Sequence, residues 1–303
     1  DGDRVYATSA TGFLWCVNLA DGEVIWTADL LELANWNQTT FEVAAPWGYA
    51  GSPLLVDGLC VVTLGGPIGG SSSASLLALD AHTGEAVWKS GDDQLSYASP
   101  ILATLDGQRQ IVSVNEKTVS GHQISDGKML WQFDWPGSTN TGANCSSAVP
   151  VGSDRLLVGK GYGGGSALVE IKHADADWKT NDVWRSSRVL KTKFNHTCVD
   201  GNIGYAISNG SLQAVNLDDA TDYWTQPRHS RAGQGQVVLA GDVLVMQDET
   251  GDLVLVDATK DDYHELLRLP ALDSKTWNIP TVAGRYVLVR NDRQAICFEF
   301  PEK

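Results

Sequence analysis

Positive charge is scarce in this chain: 22 Lys and Arg stand against 37 Asp and Glu in 303 residues, a formal net charge of −15. Affinity for a phosphate backbone needs clustered cations that release condensed counterions, so a nucleic-acid partner is not expected. No run approaches the about 18 uninterrupted apolar residues of a transmembrane helix, and no such segment is expected. Methionine occurs twice, and the five cysteines (Cys16, Cys60, Cys145, Cys198, Cys297) include no CxxC and no adjacent pair. Zinc-site spacing is therefore absent, the odd count leaves at least one thiol unpaired, and these residues read as small buried hydrophobes. There is no G-x-S-x-G for a serine nucleophile, no HxH or HxxxH for a metal and no GxxxxGK[ST] for a phosphate.

What the chain does contain is glycine, at 31 positions, and tryptophan, at 11. The two are spaced regularly. Gly22 precedes Trp26, Gly84 precedes Trp88 and Gly127 precedes Trp131, each by four residues and each after a run of apolar alternation. Trp184 and Trp224 occupy the same place in later, more diverged copies, and Leu266-Leu267 in a further one. A glycine supplies the positive φ of a tight connection, and the indole that follows is expected to bury its ring between neighbouring sheets. Further strand pairs lie upstream, such as Ser52–Val56 with Leu59–Leu64 and Gln236–Leu239 with Asp242–Met246.

Four strands per roughly 40 residues predict a single all-β domain, a β-propeller of four-stranded antiparallel blades. The blades are expected near 1–30, 47–91, 95–135, 144–187, 194–226, 232–270 and 276–300. Counting strands outward, the chain opens on the second strand of a blade and closes on the third of another, which predicts a piece of a longer, eight-bladed ring. Residues 31–46 are expected to hold a short helix or excursion, and residues 65–74 a Gly/Ser-rich loop.

The segment from Ala78 to Trp88 matches A-x-D-x-x-T-G-x-x-x-W at every specified position, through Ala78, Asp80, Thr83, Gly84 and Trp88. In this the chain resembles pyrroloquinoline-quinone-type propellers, and in its arrangement the quinoprotein-like repeat proteins of planctomycete-type bacteria, often labelled as similar to the propeller of the outer-membrane assembly machinery. The resemblance implies a periplasmic or otherwise extracytoplasmic setting. Quinoprotein alcohol dehydrogenases add adjacent half-cystines, a calcium site and a catalytic Asp to the repeat. The half-cystines are missing here, so no cofactor is expected; pyrroloquinoline quinone and calcium belong to the alternative of a dehydrogenase, with Glu116 or Asp248 near the ion and Lys160 or Arg290 near the quinone. The favoured reading is a non-catalytic scaffold for a protein or peptide partner, and a carbohydrate-binding propeller is the second alternative.

Antiparallel geometry brings the start of each innermost strand and the end of each second strand to one face. The candidate ligand residues of that face are Tyr49, Tyr97, Glu116, Asn144, Lys160, Tyr162, Asn195, His196, Gln234, Trp277, Arg290 and Asn291, joined by Arg228 and Arg231 of the densest cationic run. His173–Asp177 offers three metal donors but no calcium-loop glycine, and reads as a solvated insertion in the fourth blade.

Overall fold

The computed structural model describes residues 1–67, 74–174 and 177–300, which form a seven-bladed, all-β propeller. Blade one is β1 (Arg4–Thr8), β2 (Phe13–Asn18) and β3 (Val24–Asp29). Blade two is β4 (Leu54–Val56), β5 (Leu59–Gly65), β6 (Ala74–Asp80) and β7 (Ala86–Ser90), and blade three is β8 (Ile101–Leu105), β9 (Gln108–Val114), β10 (Thr118–His122) and β11 (Met129–Asp134). Blade four is β12 (Val149–Val151), β13 (Arg155–Lys160), β14 (Gly165–Ala174) and β15 (Asp177–Ser186). Blades five and six are β16 (Cys198–Asp200) to β19 (Asp222–Thr225) and β20 (Gln236–Ala240) to β23 (Glu265–Pro270), with β17 at Ile203–Ser208, β18 at Ser211–Asn216, β21 at Val243–Gln247 and β22 at Asp252–Asp257. Blade seven is β24 (Thr281–Ala283), β25 (Tyr286–Arg290) and β26 (Ala295–Glu299).

Two compact units divide the chain: Asp1–Arg155 with Glu170–Asn181, and Leu156–Val169 with Asp182–Lys303. Blades one to three belong to the first and blades five to seven to the second. In blades two, three, five and six the middle strands are largely buried on their two faces, and that explains why they read as nearly unbroken apolar runs, whereas β25 of blade seven alternates buried and exposed residues. In β6, Leu77 and Leu79 pack with Leu14, Cys16 and Trp26 of blade one, whereas Leu76 and Ala78 pack with Trp88 and Ile111 toward blade three. Blades five and six interlock in the same way through Tyr205, Ile207, Trp224, Leu244 and Val254.

The glycine and tryptophan spacing acquires a geometric meaning within each unit. Asp80 Oδ1 accepts from the amides of His82 and Thr83, both at 2.8 Å, closing the turn that carries Gly84 at φ +76°. Those two amides, Thr83 first, hold the Asp80 carboxyl below its ordinary range. The ring of Trp26 lies against Gly84, where an added Cβ would sit 2.7 Å from Trp26 Cδ2, and the Trp26 indole N–H donates to the Ala81 carbonyl at 3.0 Å. Trp88 repeats the arrangement on Gly127 and donates to Ile124 at 3.1 Å. In the second unit Trp184 donates to Leu217 and Trp224 to Thr259, both at 2.7 Å.

Trp131 departs from this pattern. Its indole donates to Gln110 Oε1 of its own blade at 2.6 Å and covers Gly121, whose missing side chain leaves it room. Across the outer strand pair the residue opposite the indole varies: Cys16 faces Trp26, Ala78 faces Trp88, Gly121 faces Trp131 and Ala214 faces Trp224. In blade six Leu255 faces Leu267.

Residues 31–46 hold most of α1 (Leu30–Leu33) and all of α2 (Gln38–Ala44), whose first turns are capped by Asp29 and Asn37. Their buried Leu30, Leu31 and Phe41 extend the core of blades one and two. Residues 68–73 of the expected Gly/Ser-rich loop, and Asp175 and Ala176 of the fourth-blade run, lie outside the described residues. The described residues of that run continue strands: His173 and Ala174 end β14, Asp177 opens β15, and the His173 ring lies 5.2 Å from that of Trp178.

Candidate functional site

The first unit uses most of its candidate polar groups internally. Tyr49 is buried, its hydroxyl donates to the Leu64 carbonyl at 2.7 Å, and its ring stacks on Phe41. Tyr97 is likewise buried and donates to the Thr139 carbonyl at 3.0 Å. Asn144 Nδ2 donates to the carbonyls of Asn115, Glu116 and Trp135 at 2.9, 3.1 and 3.0 Å. Glu116 Oε1 accepts from the Thr139 amide at 3.1 Å, and Oε2 lies 3.8 Å from Lys117 Nζ. These side chains satisfy loop backbone that would otherwise be buried unpaired, which is a structural duty.

Blade three also contains a buried polar chain. His122 is fully buried, with Ser90 Oγ 2.9 Å from its Nδ1 and Ser120 Oγ 2.8 Å from its Nε2; Asn115 Nδ2 donates to Ser120 Oγ at 2.9 Å. Burial pushes the His122 pKa down and keeps the imidazole neutral. A Ser-His pair so enclosed has no room for a substrate and pins β10 to its neighbours.

Candidates in the second unit separate into buried and exposed sets. Asn195 is buried and pairs with the backbone of Ile207, Nδ2 donating to the carbonyl at 3.1 Å and Oδ1 accepting from the amide at 3.2 Å. His196 has its pKa lowered by burial. Asn291 is buried, accepts from the amides of Arg293 and Gln294, both at 2.8 Å, and donates to Ser274 Oγ at 2.9 Å. Lys160 ends β13, and beyond it Tyr162, 46% exposed at φ +53°, carries Lys193 Nζ 5.0 Å from its ring centre. The Arg228–Ser230 segment forms one exposed 3-10 turn, and Arg231 beside it donates to the Asn209 carbonyl, so this run serves a neighbouring turn. Arg228 and Arg231 do not line the cavity described next.

Trp277, Arg290 and Asn291 are brought together. They line a cavity of about 550 Å³ between the segment Ser274–Asn278 and the turn Arg290–Arg293. Trp277 is 48% exposed; its indole N–H donates to Glu249 Oε1 at 2.8 Å, and its ring centre lies 5.0 Å from that of Phe194. Glu249 Oε2 accepts from the Gln234 amide at 2.9 Å. Burial raises the Glu249 pKa, but the Gln234 amide, the Trp277 indole and Lys275 outweigh it and hold the group below its ordinary range. Lys275 and Arg293 complete the cavity and were not among the sequence candidates; the alternation of basic and polar residues in Arg290-Asn291-Asp292-Arg293 was the available signal.

The donors the sequence offered for calcium do not fit one. Asp248 Oδ1 already accepts from the amides of Thr250, Gly251 and Asp252 and from Thr250 Oγ1, at 2.8 to 3.0 Å, and Oδ2 is 3.0 Å from Arg268 Nη1. Glu116 is engaged as described above, and the five cysteines are free thiols. No helix among the described residues is long and apolar enough to cross a membrane.

Residues 1–226 match the family model described as outer membrane protein assembly factor BamB. The fold is similar to that of BamB from Moraxella catarrhalis, with a TM-score of 0.65 at 12% identity over 97% of this chain and 78% of that one. It is similar also to the quinohemoprotein alcohol dehydrogenase ADHIIG from Pseudomonas putida HK5, with a TM-score of 0.60 at 12% identity over 94% of this chain and 60% of that one. A europium-containing methanol dehydrogenase gives a TM-score of 0.61 at 11% identity over 95% and 73%. At such identities the likeness establishes the fold alone. No curated protein sequence matches the chain.

Proposed function

From the premise that the chain belongs to the family described as outer membrane protein assembly factor BamB, we propose that it is a non-catalytic propeller that holds a protein partner in an extracytoplasmic setting. One observation carries this reading against the quinone dehydrogenase: the two carboxylates the sequence offers for an ion, Glu116 and Asp248, are engaged by other protein groups, whereas the exposed side chains of the Trp277 cavity are aromatic and cationic. Aromatic residues and Arg dominate binding energy at protein interfaces, and a half-exposed indole fixed by a hydrogen bond loses little freedom on binding.

A photo-crosslinking residue placed at Trp277 or Tyr162 should give one discrete adduct in an extract of the source cells, and none when placed at Val87, an exposed position on the outer strand β7 of blade two. Equal labelling from all three positions would count against a specific face. In parallel, addition of calcium and pyrroloquinoline quinone to the purified chain should reduce no dye in the presence of alcohols or sugars; turnover would establish the dehydrogenase instead.

A further inference from the structure

The Trp277 cavity carries charge opposite to that of the whole molecule. Lys275, Arg290 and Arg293 line it with a single acid, Asp292, on a chain whose net charge is −15. Two of these cations have distant internal partners: Lys275 Nζ lies 3.8 Å from Glu249 Oε1, and Arg293 Nε 3.6 Å from Asp292 Oδ2. The Arg290 guanidinium makes no ion pair among the described residues, at the end of a strand whose backbone is fixed. Its carbonyl accepts from Thr276 Oγ1 at 2.7 Å, tying the two walls of the cavity together.

The indole beside it is held in place. Glu249 fixes its N–H, Phe194 meets its ring, Lys275 Nζ sits over it 5.2 Å from the ring centre, and the Trp277 carbonyl accepts from Gln236 Nε2 at 3.0 Å. A fixed, half-exposed indole next to a guanidinium with no ion pair among the described residues matches one chemistry well: a carboxylate, which takes paired N–H bonds from Arg, borne beside a flat apolar group that packs on the part of the ring left exposed.

We infer that this cavity is the recognition site for an extended acidic segment of the partner, seating a Glu or Asp carboxylate on Arg290 with a neighbouring aromatic side chain against Trp277. The inference rests on the scaffold reading above and names the chemistry of what is held. Opposite charge also accelerates encounter: on a chain of net charge −15, the cations of this cavity attract an acidic segment that acidic surface repels.

The test uses the full chain and a fluorescein-labelled, N-acetylated peptide of alternating Glu and Phe, followed by anisotropy. Saturable binding is expected, weakening as salt rises. Arg290→Gln and Trp277→Ala should each weaken it at least tenfold, as should replacing every Glu of the peptide by Gln, while Arg188→Gln, at an exposed position outside the cavity, should leave it unchanged. Urea midpoints of the variants within error of the parent show that the loss is not unfolding. Equal affinity for the Glu and Gln peptides, or no effect of Arg290→Gln, overturns the inference. Hydrocinnamate binding as tightly as the peptide overturns it too, by showing a site for a free aromatic acid. If crosslinking from Tyr162 captures a partner while the peptide fails to bind, the acidic-segment inference falls and the scaffold reading stands.

Discussion

Substituting alanine for Gly84 separates backbone strain from the packing of one blade on the next. Gly84 has φ +76° and Gly22 has φ +74°, so an L side chain at either position costs about 1–2 kcal/mol for the left-handed conformation alone. Their surroundings differ. A Cβ at Gly84 would lie 2.7 Å from Cδ2 and 2.8 Å from Cε3 of Trp26, whereas one at Gly22 meets no described atom within 4 Å. Pushing the ring away is overpacking, worth about 1–3 kcal/mol more. Gly22→Ala should therefore lower stability by about 1–2 kcal/mol and Gly84→Ala by about 2–5 kcal/mol. With a urea dependence of about 3 kcal/mol per molar, the two midpoints should differ by about 0.3–1 M. The measurement is urea unfolding followed by tryptophan fluorescence, with a second pair in a Trp26→Ala background, where the excess cost of Gly84→Ala should vanish. Identical midpoints for the two single variants, or an excess that survives loss of Trp26, would refute the idea that this indole and glycine lock blades one and two.

Other perturbations test other parts of the frame. Trp224→Phe keeps most of the buried ring but leaves the Thr259 carbonyl without its 2.7 Å donor, and should cost about 1–3 kcal/mol in the same assay. His122, held neutral by burial, should make the chain acid-sensitive. Because its folded pKa is lowered, its contribution is intact above the unfolded value, about 6.5, and is lost as pH falls below it; His122→Gln should flatten the unfolding profile between pH 7 and 5, and an unchanged slope would argue against the assignment. Asp248→Asn weakens an acceptor of four hydrogen bonds and the ion pair to Arg268, and should destabilise by about 2–4 kcal/mol in urea unfolding. Thiol titration should find Cys297 labelled at once, whereas Cys60, whose pKa burial pushes up to about 12, should react only on unfolding.

The architecture was largely legible in the sequence because its cause is local and repeated. A turn glycine followed by tryptophan leaves a regular spacing, and the segment from Ala78 to Trp88 carries it within a motif of pyrroloquinoline-quinone-type repeats. Trp131 shows the limit: its spacing from Gly127 is regular, yet its indole turns to Gln110, because Gly121 opposite provides the space. The candidate site was less legible. Tyr49, Tyr97, Asn144 and Asn195 lie in the connections leading into β4, β8, β12 and β16 as expected, but which polar side chains answer buried backbone depends on loop paths that periodicity does not encode. Lys275 and Arg293 escaped notice for the same reason, since the Asn291 turn and the bond from Thr276 to the Arg290 carbonyl bring them together across a gap of 18 residues.

The position facing each indole limits what its partner can hold. Glycine, alanine and cysteine stand opposite tryptophan, and where Leu267 stands in place of tryptophan the residue opposite is the larger Leu255. The two sites share bulk across one strand pair, so a single exchange that shrinks one partner should be rescued by enlarging the other.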